Sequence, residues 1–430
     1  MNPIPKAFIL LATLAIAFQA GCAPGGVVPQ ASSIAMSEKP RDMSPSAGSD
    51  ALKALIDGNS AFAFALYQVL RSQDGNLFLS PYSISVALAM TSAGASGNTA
   101  REMAGTLRFT LPQAELHPAF NAYSLDLEAR ADAVTEGTPF ELSIANSLWG
   151  QQGFPFRTEF LDMLAENYSA GMRLVDFIQA PEAARRAIND WVSDETRDKI
   201  KDLIPEGAID TLTRLVLANA IYFKAAWRNA FDSSGTTPAP FHRLDGSVVD
   251  VPMMHERESL GYAASEDVQA LELPYENGNM SMVILLPDEG KFERFEGTLS
   301  LAGVQGMLED MTYRPVILGL PKFSYESSFS LSDALRTLGM ADAFDPEKAD
   351  FSGMDGRRDL YITDVIHKAF IDVDEEGTEA AAATAVIVGT TSAPADEPVT
   401  VTIDRPFVYL IRDNQTGAIL FLGRVLDPLQ

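Results

Sequence analysis

The side chains best suited to catalysis are spaced in a way that matches no catalytic motif. No serine occupies a G-x-S-x-G turn, because Gly94-Ala-Ser96-Gly97 has the wrong spacing, and no S-x-x-K motif occurs. His255 and Glu256 lack the second histidine of a zinc-protease helix, and the glycines form neither a phosphate-binding loop nor a dinucleotide-binding motif. The four histidines lie far apart in the sequence: His117, His242, His255 and His367. The sequence therefore predicts no catalytic residues, no metal site and no cofactor.

A segment of small residues near the C-terminus could act through its conformation rather than through a reactive group. Residues 380–383 are alanines, which favour a helix, whereas Thr384 and residues 386–388 are β-branched and favour a strand. Gly377 and Gly389 bound the segment and allow the chain to pivot. In an extended conformation alternate residues form one nearly uncharged face: Thr378, Ala380, Ala382, Thr384 and Val386. Composition alone favours a helix or loop, but the segment also suits insertion between two strands.

Residues 375–383 (EEGTEAAAA) resemble the hinge of the reactive-centre loop in serpins, which are suicide-substrate inhibitors of serine proteases. Six further segments resemble serpin motifs and occur in serpin order. They are residues 76–85, 217–227, 320–323, 366–370, 404–407 and 421–425. Each motif alone is weak, but the set spans roughly residues 52–428. The chain is therefore similar to serpins over almost its whole length.

Several site residues follow from this resemblance. The loop hinge would consist of Glu375, Gly377, Thr378, Glu379, Ala380, Ala381, Ala382 and Ala383. The serpin pattern also implies a sheet-opening network in which His367 bonds with Ser80, Ser83 and Asn219, with Trp227 at the top of the main sheet. Hydroxyl, amide and imidazole groups suit this role because they can exchange hydrogen-bond partners. The alternatives are an ordinary core histidine at position 367 and an ordinary core tryptophan at position 227.

The resemblance also implies a mechanism. A protease would attack the exposed loop, form a covalent acyl complex, and be trapped when the cleaved loop inserts into the main sheet of a metastable fold. Counting from Glu375 places the scissile bond at Thr391-Ser392, with Val388 and Thr390 as alternative cleavage residues. A small uncharged residue there favours elastase-like or subtilisin-like targets. The alternative function is a non-inhibitory serpin that acts as a binding or chaperone-like surface protein.

Hydrophobic periodicity predicts the elements that position these residues. Helices are predicted over residues 51–70, 83–93, 181–203 and 331–338, the last with a capping box at Ser330 and Asp333. Strands are predicted over residues 142–149, 215–223, 280–286, 316–320, 360–372, 407–411 and 419–425. This order favours an α+β fold. The resemblance specifies a serpin fold, with helices packed around three mostly antiparallel sheets and an exposed reactive-centre loop at about residues 375–400.

The first 22 residues have the pattern of an export signal. Lys6 precedes an apolar run over residues 7–18, which is too short for a permanent membrane span. Cys22 resembles the lipidated cysteine of a bacterial lipoprotein, although Gln19 departs from that pattern. Residues 23–50 are predicted to be a disordered tether, followed by one domain over residues 51–430. The protein is therefore expected to be exported and either lipid-anchored at the bacterial cell envelope or secreted.

Charge and cysteine content limit the partners. The net charge of −26 at pH 7 argues against nucleic acid and heparin-like polyanions, which bind to basic patches. Cys22 is the only cysteine, so no intrachain disulfide can form. We expect a monomer whose only membrane contact is the lipid on Cys22 and whose main partner is the target protease.

Overall fold

The computed structural model describes residues 33–132, 140–378 and 397–430. Its α-helices are α1 (Ser49–Leu70), α2 (Pro81–Ser92), α3 (Gly97–Thr106), α4 (Gln113–Asp132), α5 (Thr158–Tyr168), α6 (Pro181–Glu195), α7 (Phe292–Thr298), α8 (Leu301–Glu309), α9 (Ser332–Thr337) and α10 (Ser352–Asp355). Its strands are β1 (Ser33–Ala35), β2 (Leu77–Leu79), β3 (Glu141–Gln151), β4 (Met172–Val175), β5 (Leu215–Ala226), β6 (Thr237–His242), β7 (Val248–Ala264), β8 (Val268–Pro274), β9 (Met280–Pro287), β10 (Thr312–Pro321), β11 (Phe323–Ser330), β12 (Asp364–Val373), β13 (Gly377–Thr378), β14 (Val399–Thr402), β15 (Phe407–Asp413) and β16 (Ile419–Val425).

Among the described residues, seven strands form the main sheet, in the order β1-β4-β3-β5-β13-β12-β11. The central strand β5 is buried except at Lys224, as expected for a run of apolar residues covered on both faces. It pairs antiparallel with β3 and parallel with β12. The parallel ladder ends at Tyr222 and Phe370, and above that point β13 lies between the two strands. The main sheet is therefore closed along the β5–β12 ladder. At the end near Ala225 and Val373, called the top of the sheet, β13 separates β5 from β12.

In the part of the chain that the structure describes, nine strands form the second sheet, in the order β14-β10-β7-β8-β9-β15-β16-β2 with β6 paired to β7. Its centre is strongly apolar, because β9, β15 and β16 are buried at every residue except Arg412. The 17-residue strand β7 pairs with β6, β10 and β8 along its length. Two of the three expected sheets are therefore continuous through β7. The predicted α+β fold, with helices around mostly antiparallel sheets, is confirmed.

Helix α2 contributes to the candidate site at its N-terminus. Its residues are small or apolar, and it is buried except at Val86. The Ser80 hydroxyl caps the helix by accepting a hydrogen bond from the Ser83 backbone N–H at 3.2 Å. Pro81 occupies the first helical position, where its missing N–H costs nothing. The cap fixes Ser80 and Ser83 beneath the main sheet.

The predicted helix over residues 181–203 is too long. Helix α6 ends at Glu195, and Arg197 and Asp198 directly after it adopt positive φ angles, which a helix does not allow. The local apolar pattern continues past the turn because Ile200 and Leu203 are still buried. The spacing of these buried residues continues the helical pattern, although the backbone there is not helical, so the pattern predicted a helix that was too long.

The predicted capping box of α9 does not form. The hydroxyls of Ser330 and Ser332 both donate to the Asp364 carboxylate at 2.7 Å, and α9 has no side-chain cap. Asp364 is also where β12 begins, four positions after the predicted start of that strand. The carboxylate of a distant residue competes successfully with the local cap, which the sequence alone does not reveal.

Residues 33–48 are attached to the domain, so the predicted disordered tether is wrong for this part. Strand β1 pairs antiparallel with the edge strand β4. Lys39 pairs with Glu166 on α5 at 2.9 Å, and Arg41 pairs with Glu128 on α4 at 3.0 Å. The amino-acid composition of this segment did not indicate the attachment, because β1 binds through its backbone. The unpaired backbone of a sheet edge can pair with segments of many sequences.

Residues 1–32 lie outside the described part of the chain. The export signal, the role of Cys22 and the first part of the tether therefore stay predictions. Over the three described ranges, no helix is both long enough and apolar enough to cross a membrane.

Candidate functional site

The chain turns into the main sheet at the tip of β5, where Trp227 binds both sides of the turn. Its indole Nε1 donates to the Asp374 carbonyl oxygen at 3.0 Å, and its backbone N–H donates to the Glu376 carbonyl oxygen at 2.9 Å. The Tyr275 ring stacks on the indole with centroids 4.7 Å apart. Trp227 is buried, as a core residue would be, but its hydrogen bonds also hold the start of the predicted loop.

Glu375 is fixed on the other side of this turn. Its carboxylate lies 2.5 Å from Lys322 Nζ, between β10 and β11, and accepts a hydrogen bond from Thr236 Oγ1 at 2.7 Å. Partial burial acts to raise the pKa of Glu375, but the hydrogen bonds from Lys322 and Thr236 outweigh it and hold the pKa below its usual value. The carboxylate is therefore ionised near neutral pH and ties the first hinge residue to the body of the protein.

Within the described residues, strand β13 comprises Gly377 and Thr378, at the open end of the main sheet. Thr378 lies opposite Ala225 on one side and Val373 on the other. A Cβ atom at Gly377 would lie 2.2 Å from the Ala225 carbonyl oxygen, so only glycine fits there. Thr378 is 1% exposed, and its hydroxyl lies 2.7 Å from the Tyr275 hydroxyl. The predicted hinge has thus already entered the sheet by two residues.

Below β13, the sheet is closed by the parallel ladder between β5 and β12. This ladder has seven register pairs, from Val216 with Asp364 to Tyr222 with Phe370. Phe223 and Lys224 lie between the ladder and β13. A strand that continued past Thr378 along this line would have to separate the seven pairs.

His367 and Asn219 are register partners in the middle of this closed ladder. His367 Nδ1 hydrogen bonds to Asn219 Oδ1, and Asn219 Nδ2 donates to Ser83 Oγ at 2.5 Å. The other ring nitrogen, Nε2, accepts a hydrogen bond from the Ser80 backbone N–H at 3.1 Å. The structure thus brings together the four residues that the family resemblance grouped.

The geometry of this network specifies a neutral His367 with its proton on Nδ1. Nε2 needs its lone pair to accept from Ser80, and Asn219 offers a carbonyl oxygen to Nδ1. Complete burial lowers the pKa of His367 to about 3, so the ring is neutral at physiological pH. Because every member is neutral, the network can separate and re-form without leaving a charge in the apolar interior.

Asn146 on β3 is a fifth member of the network that the sequence analysis missed. It is the register partner of Asn219, and its Oδ1 accepts from Asn219 Nδ2 and from Ser83 Oγ, the latter at 3.2 Å. Its Nδ2 donates to the Ser83 carbonyl oxygen at 3.1 Å. An amide at the centre of a predicted strand was the available signal. Tyr275, which contacts the hinge, carried no comparable signal, and Lys322 lies in the motif over residues 320–323 but was assigned no role.

The other predicted loop residues lie outside the described residues. They are Glu379, Ala380, Ala381, Ala382, Ala383, Val388, Thr390, Thr391 and Ser392. The description resumes at Glu397, and β14 then pairs parallel with β10 in the second sheet. The two ends of the predicted loop are therefore held by different sheets. Across the described ranges, no cluster of three His, Cys, Asp or Glu side chains could hold a metal ion.

Known proteins are similar to this chain in sequence. The profile of the serpin (serine protease inhibitor) family matches residues 57–428. An uncharacterized serpin-like protein of Thermococcus kodakarensis is 40% identical, and the similarity covers 98% of each chain. The leukocyte elastase inhibitor of Homo sapiens is 39% identical over 88% of this chain and 100% of its own length.

Solved structures agree in fold. Tengpin, a thermophilic serpin in its native state, superimposes with a TM-score of 0.81 at 29% identity, covering 92% of this chain and 100% of tengpin. Uncleaved ovalbumin superimposes with a TM-score of 0.77 at 27% identity, covering 87% of this chain and 100% of its own. Since sequence, fold and the arrangement of hinge and network all agree, the chain belongs to the serpin family.

Proposed function

We propose that this protein inhibits serine proteases as a suicide substrate. The observation that carries the proposal is β13, since two hinge residues already lie in the main sheet at the open end of the β5–β12 ladder. The side chains after Thr378 are mostly small, and no proline occurs before Pro394, so nothing in the sequence blocks continuation as a strand. A relative named as an elastase inhibitor supports the same activity.

The reaction would start as ordinary proteolysis. The catalytic serine hydroxyl of the protease adds to the carbonyl carbon of Thr391, and the amide nitrogen of Ser392 leaves as an amine after it takes up a proton. The loop is then attached to the protease through an ester and is no longer held at both ends. Residues from 379 to about 388 pair with β5 and β12 and carry the acylated protease across the molecule. Distortion of the protease oxyanion site then stops hydrolysis of the ester.

The driving force is the pairing of a new strand on both of its edges. Each added backbone hydrogen bond contributes about 0.5–1.5 kcal/mol, so on the order of ten of them give roughly 10 kcal/mol. That is comparable with the stability of a whole domain. The opposing cost is separation of the seven β5–β12 register pairs and the network around His367. The proposal requires the gain to exceed this cost, so that the intact fold is metastable relative to the form with the inserted loop.

The target class follows from the proposed cleavage residue. Thr391 is small and uncharged, which suits the shallow pockets of elastase-like and subtilisin-like proteases rather than the acidic pocket of trypsin. Val388 and Thr390, the alternative cleavage residues, are also uncharged and indicate the same class of target.

A gel experiment tests the proposal. The chain from residue 23 onward is mixed with pancreatic elastase or with subtilisin, and the products are separated under denaturing conditions. We expect a covalent complex that survives denaturant, and mass spectrometry of the released fragment identifies the cleaved bond. Cleaved monomer without any complex would reject inhibition and favour the non-inhibitory, binding or chaperone-like function.

A melting experiment tests metastability separately. A protease that cuts the loop without being trapped supplies the nicked protein, which is purified and compared with the intact protein. We expect the nicked form to melt at a clearly higher temperature, because its loop can complete the sheet. Equal melting temperatures would show that cleavage releases no stored free energy.

We also propose that the protein is exported and lipid-anchored through Cys22. The apolar run before Cys22 and the small residues next to it support this location. Cys22→Ser should move the protein from the membrane fraction to the soluble fraction. An unchanged distribution would favour plain secretion or another means of attachment.

A further inference from the structure

The chain enters the main sheet at the end opposite the hinge. Strand β3 runs antiparallel to β5, β4 runs parallel to β3, and β1 runs antiparallel to β4. Ser33, the first residue of β1, pairs with Leu174 and is thereby aligned with Leu215, where β5 begins. Gly377 of the hinge pairs with Ala226, at the other end of β5, which is about 36 Å away at 3.3 Å per residue. The end at Ser33 and Leu215 is called the base of the sheet.

Exposed apolar side chains lie together at the base. Gln151, the last residue of β3, connects two segments there. Its backbone N–H donates to the Arg214 carbonyl oxygen, and its Oε1 accepts from the Ile178 backbone N–H, both at 3.1 Å. Ile178 is exposed, and so are Leu212, two residues before Arg214, and Ile34 in β1. A group of exposed apolar side chains is typical of a surface that binds a partner or a membrane.

The charge of the segments at the base is balanced, although the whole chain carries a net charge of −26. These segments are residues 176–179, 210–214 and 356–363. The last of them is held by a hydrogen bond from the Thr363 N–H to the Leu215 carbonyl oxygen at 3.0 Å. Together they contain as many arginines as acidic residues: Arg214, Arg357, Arg358, Asp176, Asp210 and Asp359. An anionic membrane therefore repels the base less than it repels the rest of the protein.

The chain before β1 supplies a link between the base and a membrane. Ten residues separate Cys22 from Ser33, and they can span at most about 35 Å even when fully extended. A lipid on Cys22 would therefore hold Ser33, and with it the base, close to the bilayer. A short tether keeps the local concentration of the attached surface high, so a few weak apolar contacts are enough for docking.

We propose that the base of the main sheet docks on the membrane surface, with Ile34, Ile178 and Leu212 among the lipid head groups and the hinge turned away from the bilayer. The apolar side chains gain free energy when the interface covers them, and the balanced charge adds no strong repulsion. The predicted reactive-centre loop then faces outward, where a protease can reach it. In the cell this orientation rests on the proposed lipid at Cys22, whereas docking of a chain tethered by other means does not.

A synthetic tether tests docking without natural lipidation. Cys22 is the only cysteine, so the chain from Cys22 onward can be coupled through its thiol to phosphatidylcholine vesicles that contain a maleimide lipid. The photo-crosslinker p-benzoylphenylalanine replaces Leu212 in one variant and Tyr313, on β10 of the second sheet, in the control. The two positions are matched in exposure, at 64% and 60%. After illumination, mass spectrometry measures the fraction of protein bonded to an additional lipid.

We expect the yield of this lipid adduct to be at least fivefold higher from position 212 than from position 313. Equal yields would overturn the proposed orientation. Adducts between two copies of the chain at position 212, in place of lipid adducts, would also overturn it and would indicate self-association at the base.

Charged variants identify the side chains that contact the membrane. Ile34→Asp combined with Ile178→Asp places two carboxylates at the base. The matched control, Leu244→Asp combined with Val248→Asp, places two carboxylates in the hairpin of β6 and β7. All four positions are exposed, so the fold should tolerate both pairs. The first pair should lower the lipid-adduct yield from position 212 at least threefold, and the control pair should leave it unchanged. Equal yields in both pairs would show that Ile34 and Ile178 do not carry the docking.

The result can be separated from the fate of the proposed anchor. An unchanged location of Cys22→Ser in cells would reject the natural anchor and leave the result with the synthetic tether intact. Equal adduct yields from positions 212 and 313 would reject docking even if Cys22 is lipidated.

Discussion

Two buried polar clusters in this molecule use opposite chemistry. In the second sheet, Arg424 on β16 pairs with Glu296 on α7 at 2.8 Å, with the two side chains 4% and 6% exposed. In the main sheet, the cluster around His367 joins neutral imidazole, amide and hydroxyl groups. A buried ion pair resists separation because each charge would lose its partner, whereas neutral groups can change partners at lower cost. The charged cluster therefore fixes a region that stays closed, and the neutral cluster suits a region that opens.

The largest effect is expected from placing a charge in β13, at the end of the main sheet where β5 and β12 are already separated. Thr378→Arg would bury a guanidinium beside Tyr275 in the inserted strand, which costs several kcal/mol. We expect the yield of covalent complex to fall about 100-fold or more while the loop is still cleaved, as measured on denaturing gels. Thr312→Arg, at an exposed position on β10, adds the same charge and should leave the yield unchanged. Normal trapping by Thr378→Arg would contradict insertion through this point.

Removing one charge of the Arg424–Glu296 pair should also have a large effect, which is a loss of folding stability rather than of covalent complex. Arg424→Met leaves Glu296 buried without its partner, so we expect the free energy of unfolding to fall by about 3–5 kcal/mol in urea titrations. The double variant Arg424→Met, Glu296→Met removes both charges and should recover the part of the loss that comes from the unpaired carboxylate. The carbonyl oxygens of three residues, Arg71, Gln73 and Gly75, stay without the Arg424 donor. A loss below about 1 kcal/mol in the single variant would show that the pair is not a fixed element.

The neutral region should be sensitive to acid. The pKa of His367, about 3 in the folded protein, lies below the value of about 6.5 expected when unfolded, so the unfolded state binds more protons between these values. The stability from this group is fully present above pH 6.5 and declines as the pH falls toward 3, by about 2 kcal/mol at pH 5. Urea unfolding at pH 7.5 and pH 5 measures the decline.

His117 adds a similar effect, because burial lowers its pKa to about 4. The variant His367→Phe therefore serves as the reference. Its loss between pH 7.5 and pH 5 should be smaller than that of the unmodified protein by about 2 kcal/mol. Equal losses would show that His367 is not buried neutral in the folded state.

The smallest effect is expected at the rim of the opening region. Lys322→Met removes the partner of Glu375, but the two side chains are 34% and 12% exposed, so the pair should contribute no more than about 1 kcal/mol to unfolding. Lys348→Met, which removes the more exposed pair with Asp345, is the control and should cost less. A loss of about 3 kcal/mol in the free energy of unfolding of Lys322→Met would show that the Lys322–Glu375 pair resembles the buried Arg424–Glu296 pair instead.

The sequence predicted the fold class and four of the five members of the neutral cluster mainly through motif order. His367 and Asn219 could be grouped because their segments resemble known ones. Asn146 could not, because its role depends on the β3–β5 register, which opposes it to Asn219. Nothing in the local pattern of β3 fixes that register.

The missed attachment of residues 33–48 has a different cause. A strand such as β1 binds through its backbone, and its three residues carry no apolar alternation that a sequence pattern would reveal. The capping box of α9 failed because Asp364, distant in sequence, attracts both serine hydroxyls. Long-range contacts, rather than local propensity, decided each of these elements.

The position of Trp227 gives this molecule an optical reporter of its own. The chain has three tryptophans, and Trp149 and Trp191 lie together with ring centroids 5.9 Å apart, whereas Trp227 alone hydrogen bonds to the turn that precedes Gly377. Any departure of that turn would change the surroundings of one indole and leave the other two as an internal standard. Stopped-flow emission could therefore time the first step of loop movement without an added dye.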